Sequence, residues 1–126
     1  MTSERPRAIV AGHGAFAEGI LSAVEQIAGR GDCLVAVSNA DLAPGDIETK
    51  LRTLLDATGA QVIFTDLPAG SCTIAARRIQ RDHPGLVLVT GAALPTILSF
   101  ACGGDIVKAV EQGRAAMMVV EAKRDA

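Results

Sequence analysis

Four short apolar runs, each followed by a segment with helical spacing, constrain the fold of this chain most strongly. The runs are rich in valine, isoleucine and alanine without polar alternation, which is typical of strands buried on both faces of a sheet. Strands are predicted over residues 7–11, 33–37, 61–65 and 86–90, with a last one over 115–121. Helices are predicted over 15–28, from Ile47 to Gly59, from Ser71 or Thr73 onward, and over 96–102 and 105–113. This alternation predicts one α/β domain, with a mostly parallel sheet and helices on both of its faces.

The composition excludes several classes of function. The 126 residues carry 12 Lys and Arg against 14 Asp and Glu and include 3 Phe but no Trp or Tyr, so the basic, aromatic surface of a nucleic-acid-binding protein is not expected. No apolar run reaches the roughly 20 residues of a membrane span, and the polar residues 1–7 do not resemble a secretory signal. Three singly spaced cysteines indicate reduced thiols, so we expect a cytoplasmic protein with no metal or other cofactor.

Two polar residues follow the first and third predicted strands, at the sheet edge where parallel sheets bind their ligands. His13 lies between Gly12 and Gly14 after the first run, and Asp66 follows the third. If these strands are neighbours, the Asp66 carboxylate accepts one imidazole N–H, fixes the tautomer and leaves the other nitrogen free to attack phosphorus. The sequence therefore predicts His13 and Asp66 as the catalytic pair of a phosphoryl acceptor.

The expected phosphate-binding groups lie in the turns beside that pair. Gly14 allows a tight turn into the first helix, and Gly70 and Ser71 would offer N–H and hydroxyl donors at the start of the third. Each of these residues also has an ordinary explanation as a turn former or helix cap, and only their conjunction at one sheet edge favours a site. No nucleotide-binding motif is present, so the phosphoryl donor is expected to be another protein. His83, in a polar turn before the fourth strand, is expected to be exposed and structural.

Three segments, in this order, resemble the motifs of the mannose-type IIA family of the sugar phosphotransferase system. IVAGHGAFAEG at 9–19 is similar to the opening motif around the family's histidine, DLPAGS at 66–71 to its second motif, and GAALP at 91–95 to its third. The likeness covers residues 7 to 122 of a single expected domain over 1–126. The chain differs from the family pattern at four places: Gly12 for Thr or Ser, Ala69 for Gly, Cys72–Thr73 for Pro-Phe, and Ala92 or Ala93 for Asn.

The resemblance implies a function. Family members accept a phosphoryl group from the carrier protein HPr and pass it to a IIB protein or domain, which phosphorylates a sugar entering through membrane subunits. His13 matches the phosphorylated histidine, Asp66 the carboxylate that orients it, and Ser71 a nearby hydroxyl. Family homodimers exchange a last, antiparallel edge strand, which would be residues 115–121 in this chain.

Other functions fit parts of the same pattern. A regulatory phosphocarrier of this fold would report nutrient state without transporting sugar. The phosphotransfer subunit of a dihydroxyacetone kinase shares a histidine at this strand end, although the residues after His13 fit it less well. A small α/β hydrolase or ligand binder would use Cys72 or Ser71 and would need an ordered base and a pocket. All three cysteines are otherwise expected to be small buried side chains, the third being Cys102.

Overall fold

A four-stranded parallel sheet forms the centre of the molecule, of which the computed structural model describes residues 6–123. The strands are β1 (Ala8–Gly12), β2 (Leu34–Ser38), β3 (Val62–Thr65) and β4 (Val87–Val89). The helices are α1 (Phe16–Ala28), α2 (Pro44–Thr58), α3 (Ser71–Asp82), α4 (Leu94–Ala101) and α5 (Ile106–Ala116). The predicted α/β alternation is therefore confirmed from β1 through α5, with small shifts in the bounds of the elements.

The strand order β2-β1-β3-β4 decides which strand ends meet. The chain adds β2 on one side of β1 and returns to add β3 on the other, and all three pairings are parallel. Ala11 lies opposite Thr65 near the ends of β1 and β3, and Gly12 lies opposite Ser38 at the end of β2. The carboxyl ends of three strands thus converge around the residue that follows β1, at the point where the strand order reverses.

Helices cover both faces of the sheet because the strand side chains alternate between two apolar layers. Val10 and Phe64 point to the layer that α1, α4 and α5 cover. Ile9 and Ile63 point to the opposite layer, which α2 and α3 cover. Both layers are almost wholly aliphatic, as the composition requires, and the one aromatic pair among the described residues joins Phe64 to Phe100 edge to face at 5.4 Å. The core is therefore a two-sided α/β core that holds β1 rigidly in the middle.

The end of the described chain differs from the prediction. Helix α5 continues through Ala116, so the first two residues of the strand predicted over 115–121 are helical. Residues 117–123 adopt no regular structure within this chain, and the described residues contain no antiparallel strand. Four apolar side chains are left exposed by 67% to 92%, namely Met117, Met118, Val119 and Val120. The exchange of this segment between two copies stays a prediction, because a single chain does not test it.

Two absences apply to residues 6–123. No helix there is both long and apolar enough to cross a membrane. No group of three or more His, Cys, Asp or Glu side chains there has the proximity that a metal site requires.

The prediction for the cysteines is confirmed for Cys33 and Cys72, which are buried, and wrong for Cys102, which is exposed in the turn after α4.

Candidate functional site

His13 and Asp66 form a hydrogen-bonded pair at the carboxyl edge of the sheet. The side-chain nitrogen Nδ1 of His13 lies 2.9 Å from Oδ2 of Asp66, and the backbone N–H of His13 donates to the same oxygen at 2.9 Å. The adjacency of β1 and β3, on which the prediction depended, places them together. The imidazole is about half exposed, at 48%, whereas the carboxylate is only 13% exposed. The arrangement therefore holds the Nδ1 edge of the ring and leaves about half of the imidazole accessible.

Opposing effects act on the Asp66 carboxylate. Burial raises its pKa, consistent with Oδ1 being buried without a hydrogen-bond partner among the described residues. Hydrogen bonds from the backbone N–H and the ring of His13, the electrostatic effect of that ring and a backbone hydrogen bond within Asp66 lower the pKa, and together they outweigh burial. The net pKa therefore lies below its usual value, and Asp66 is ionised near neutral pH. An ionised carboxylate only accepts hydrogen bonds, so the proton between the two groups belongs to Nδ1 of His13.

Two glycines shape the turn that carries His13. A Cβ at Gly12 would lie 2.7 Å from Cδ2 of Phe16 and 2.9 Å from Oδ2 of Asp66, and both distances are shorter than a Cβ normally approaches another heavy atom. The absence of a side chain at Gly12 thus lets the carboxylate reach the His13 backbone. Gly14 has a φ of +54°, in the left-handed region that side chains disfavour. Gly14 is therefore confirmed as a turn residue, while its contact with phosphate stays a prediction.

The start of α3 lies against the imidazole. A Cβ on Gly70 would lie 3.0 Å from Cε1 of His13, so the absence of a side chain there lets the loop approach the ring. Gly70 is the N-cap and Ser71 the first helical residue, and no side chain caps this helix, so the predicted capping by Ser71 or Thr73 is wrong. The first bond within the helix runs from the Ile74 N–H to the Gly70 carbonyl at 2.9 Å. The N–H groups before Ile74 therefore have no carbonyl partner within the helix, and a helix end of this kind favours an anion.

Asn39, which was not predicted as a site residue, and Thr73, which was expected only as a helix cap, both shape this edge. Asn39, which directly follows β2, donates from Nδ2 to Oγ of Ser71 at 3.2 Å. The buried Thr73 hydroxyl contacts the Thr65 hydroxyl at 2.7 Å and the carbonyl of Leu67, which fixes the loop after β3. The rule that located His13 and Asp66, a polar residue just past an apolar strand, would also have located Asn39.

His83 lies away from the site, and Cys72 does not fit the hydrolase chemistry considered for it. His83 is exposed at the carboxyl end of α3, on the sheet edge opposite the site, as predicted. Cys72 is buried beside the site, and burial raises the pKa of its thiol, as does the negative charge of Asp66, while a hydrogen bond with Ser71 lowers it less. A protonated, buried thiol is a poor nucleophile, so the structure gives a Cys72-dependent hydrolase no support.

Comparison with known proteins gives a consistent picture. The family model of the PTS system fructose IIA component matches residues 7–117. A mannose/sorbose-specific IIA subunit from Enterococcus faecalis is 20% identical with a TM-score of 0.82, and the match covers 98% of this chain and 100% of that one. A IIA protein associated with the fucose utilization operon of Streptococcus pneumoniae is 21% identical with a TM-score of 0.82, over 94% of this chain and 96% of the other. No curated protein matches the chain.

Proposed function

Since this chain belongs to the fructose- and mannose-type IIA family of the sugar phosphotransferase system, we propose that its His13 carries a phosphoryl group. In this proposal His13 accepts the group from phospho-HPr in the cytoplasm and passes it to a IIB component, which phosphorylates a sugar during uptake through membrane subunits. Family membership implies a phosphotransferase in general terms. The observation that supports the specific residue is the pair of 2.9 Å contacts that join His13 to Oδ2 of Asp66.

The geometry supports a transfer through Nε2 of His13. Because Nδ1 bears the proton that Asp66 accepts, Nε2 keeps a free lone pair. This lone pair attacks phosphorus, the new N–P bond forms at Nε2, and the N–P bond to the donor histidine of HPr breaks and returns its electrons to that ring. The His13 ring gains positive charge as the bond forms, and the adjacent Asp66 carboxylate stabilises that charge. Transfer to the IIB component is the same displacement with His13 as the leaving group.

The start of α3 is the proposed phosphate-binding element. Gly70 approaches the ring closely, and the N–H groups at the following helix end attract an anion. The Ser71 hydroxyl adds a donor at that end, and Gly14 lets the other wall of the turn stay free of side chains. None of these groups requires a metal ion or a cofactor.

The surroundings of His13 support a protein as the donor. Leu67, in the loop after β3, and Ile74, one turn into α3, are each 49% exposed. Leu67 and Ile74 stand three and four positions from Gly70, the residue beside the imidazole, so the segment that borders the half-exposed ring carries exposed apolar side chains. Exposed apolar side chains beside the ring favour docking of another protein surface, because their removal from water lowers the free energy of the complex. We therefore assign HPr and the IIB component as the partners that bind over this edge.

A homodimer is the second part of the proposal. The apolar segment 117–120 is exposed in the single chain, and none of the four strands found within residues 6–123 pairs with it. Val87, in β4, is also 38% exposed at an edge of the sheet that has no further strand. Pairing of the segment with the β4 edge of a second copy would bury both surfaces and satisfy the open backbone groups.

Phosphorylation of the purified chain tests the proposal. Incubation with enzyme I, HPr and labelled phosphoenolpyruvate is expected to produce an acid-labile, base-stable phosphoprotein. His13→Ala should abolish the label, whereas His83→Ala, which removes the other histidine of the chain, should leave it unchanged. Equal labelling of His13→Ala and the parent protein would overturn the assignment of His13.

A further inference from the structure

We propose that Asn39 is a positioning residue that aims the Ser71 hydroxyl at a phosphoryl group on His13. This inference rests on the proposed phosphorylation of His13 and adds a residue to the phosphate-binding element. Asn39 itself acts through Ser71, and the proposal needs no direct contact between its amide and phosphate.

The backbone places Asn39 beside the site. It follows β2, and its N–H donates to the carbonyl of Gly12 at 3.0 Å, which ties it to the residue before His13. Its side chain reaches Ser71, which lies beyond β3, although β1 separates β2 from β3 in the sheet. The Asn39–Ser71 bond therefore spans the carboxyl end of the strand that carries His13. This bond is not a helix cap, because Asn39 donates to the side-chain hydroxyl of Ser71 and accepts no backbone N–H of α3.

The direction of this bond gives it a chemical consequence. The Nδ2 group of Asn39 can only donate, so Oγ of Ser71 is the acceptor in the 3.2 Å contact. A serine hydroxyl carries one proton and two acceptor positions, and one acceptor position is now occupied. The hydroxyl proton is left for another acceptor, either the Cys72 sulfur with which Ser71 also bonds or, once His13 is phosphorylated, an oxygen of the phosphoryl group at the adjacent helix end. Without Asn39, the hydroxyl would rotate freely and spend less time in this orientation.

An equilibrium measurement separates this role from a structural one. A donor that meets the phosphoryl group only after transfer stabilises phosphorylated His13, so it raises the equilibrium constant for transfer from phospho-HPr. Asn39→Ala is expected to lower that constant about threefold to tenfold, the effect of one hydrogen bond. In a Ser71→Ala background the same substitution should have no further effect, because the hydroxyl that it positions is gone.

Two further variants control for damage to the turn. Ser38→Ala removes an acceptor for the N–H of Ala40 at 3.1 Å in the same turn but does not touch Ser71, and should stay within about twofold of the parent. Asn39→Asp keeps the size of the side chain but accepts the Ser71 proton, so it should lower the constant at least as far as Asn39→Ala.

The outcomes distinguish the two levels of the proposal. If the parent protein is phosphorylated but Asn39→Ala lowers the constant equally in the parent and Ser71→Ala backgrounds, the positioning role is wrong and phosphorylation of His13 stands. A parent-like constant for Asn39→Asp would also refute it. If the parent protein takes no phosphate from phospho-HPr, both proposals fail together.

Discussion

Replacement of Asp66 by Asn measures how much the negative charge of the Asp66 carboxylate contributes to phosphoryl transfer. The substitution keeps the size of the side chain and an oxygen able to accept the His13 backbone N–H, but it removes the negative charge. It also introduces an NH₂ group that can donate to Nδ1, which would favour the tautomer with the proton on Nε2. Phosphoryl transfer to Nε2 should therefore slow, because the lone pair is less available and the positive ring is less stabilised.

The size of the effect follows from the two contacts at 2.9 Å. The bond to the backbone N–H is present before and after transfer, so it contributes little to the rate. In the parent the bond to the ring involves the ionised Asp66 carboxylate, about 1.5–3 kcal/mol, whereas in Asp66→Asn it involves only a neutral amide, about 0.5–1.5 kcal/mol. The difference of about 1–2 kcal/mol corresponds to a rate lower by about 5- to 30-fold. Asp66 is only 13% exposed, so solvent screens this charge weakly.

Rapid-quench measurement of phosphoryl transfer from phospho-HPr is the assay. Asp82→Asn is the matched control, because Asp82 is an exposed aspartate at the end of α3 that accepts a hydrogen bond from Arg52 at 2.9 Å, on the opposite sheet edge. The control should transfer at the parent rate. An Asp66→Asn variant that also transfers at the parent rate, with unchanged folding, would refute the role given to the carboxylate.

Three further predictions test other parts of the account. Gly12→Ser should lower the free energy of unfolding by about 1–3 kcal/mol in thermal denaturation, because its Cβ would lie 2.7 Å from Phe16 and 2.9 Å from the Asp66 carboxylate; an unchanged melting temperature would show that the turn has room. Truncation after Ala116 should convert a dimer into a monomer in light scattering, and a full-length chain that is already monomeric would contradict the proposed exchange. Because the folded-state pKa of Asp66 is lowered, its ionised form stabilises the protein above the usual carboxyl pKa, and this contribution disappears as pH falls below about 4. The stability difference between the parent and Asp66→Asn should therefore shrink on acidification, and a constant difference from pH 7 to pH 2 would count against the ionised pair.

The sequence was most informative where one rule acted on short, fully apolar segments. Such segments predict buried parallel strands, and the residues just past them, His13 and Asp66, could be placed at one sheet edge. Which strands are neighbours depends on how α1 and α2 pack on opposite faces, and periodicity does not contain that information. The sequence could therefore predict that His13 and Asp66 meet only if β1 and β3 are neighbours, and the structure pairs these strands and places the two side chains 2.9 Å apart.

The wrong predictions concern residues whose state depends on neighbours outside their own segment. The strand predicted over residues 115–121 is wrong for its first two residues, which complete α5, while the pairing of the remaining residues with a second copy stays a prediction. Serine is a common helix cap, yet Gly70 occupies the N-cap position and the Ser71 hydroxyl accepts a hydrogen bond from Asn39. Cys102 was expected to be buried, but it lies in the exposed turn between α4 and α5.

The role given to His13 and Asp66 is tested most directly by identifying the ring nitrogen that receives the phosphoryl group. Nitrogen-15 NMR of the phosphorylated protein distinguishes the two ring nitrogens through their coupling to phosphorus and to the ring proton. We expect phosphorus on Nε2 of His13 and a proton on Nδ1 that Asp66 accepts. Phosphorus on Nδ1, or on either nitrogen of His83, would contradict it.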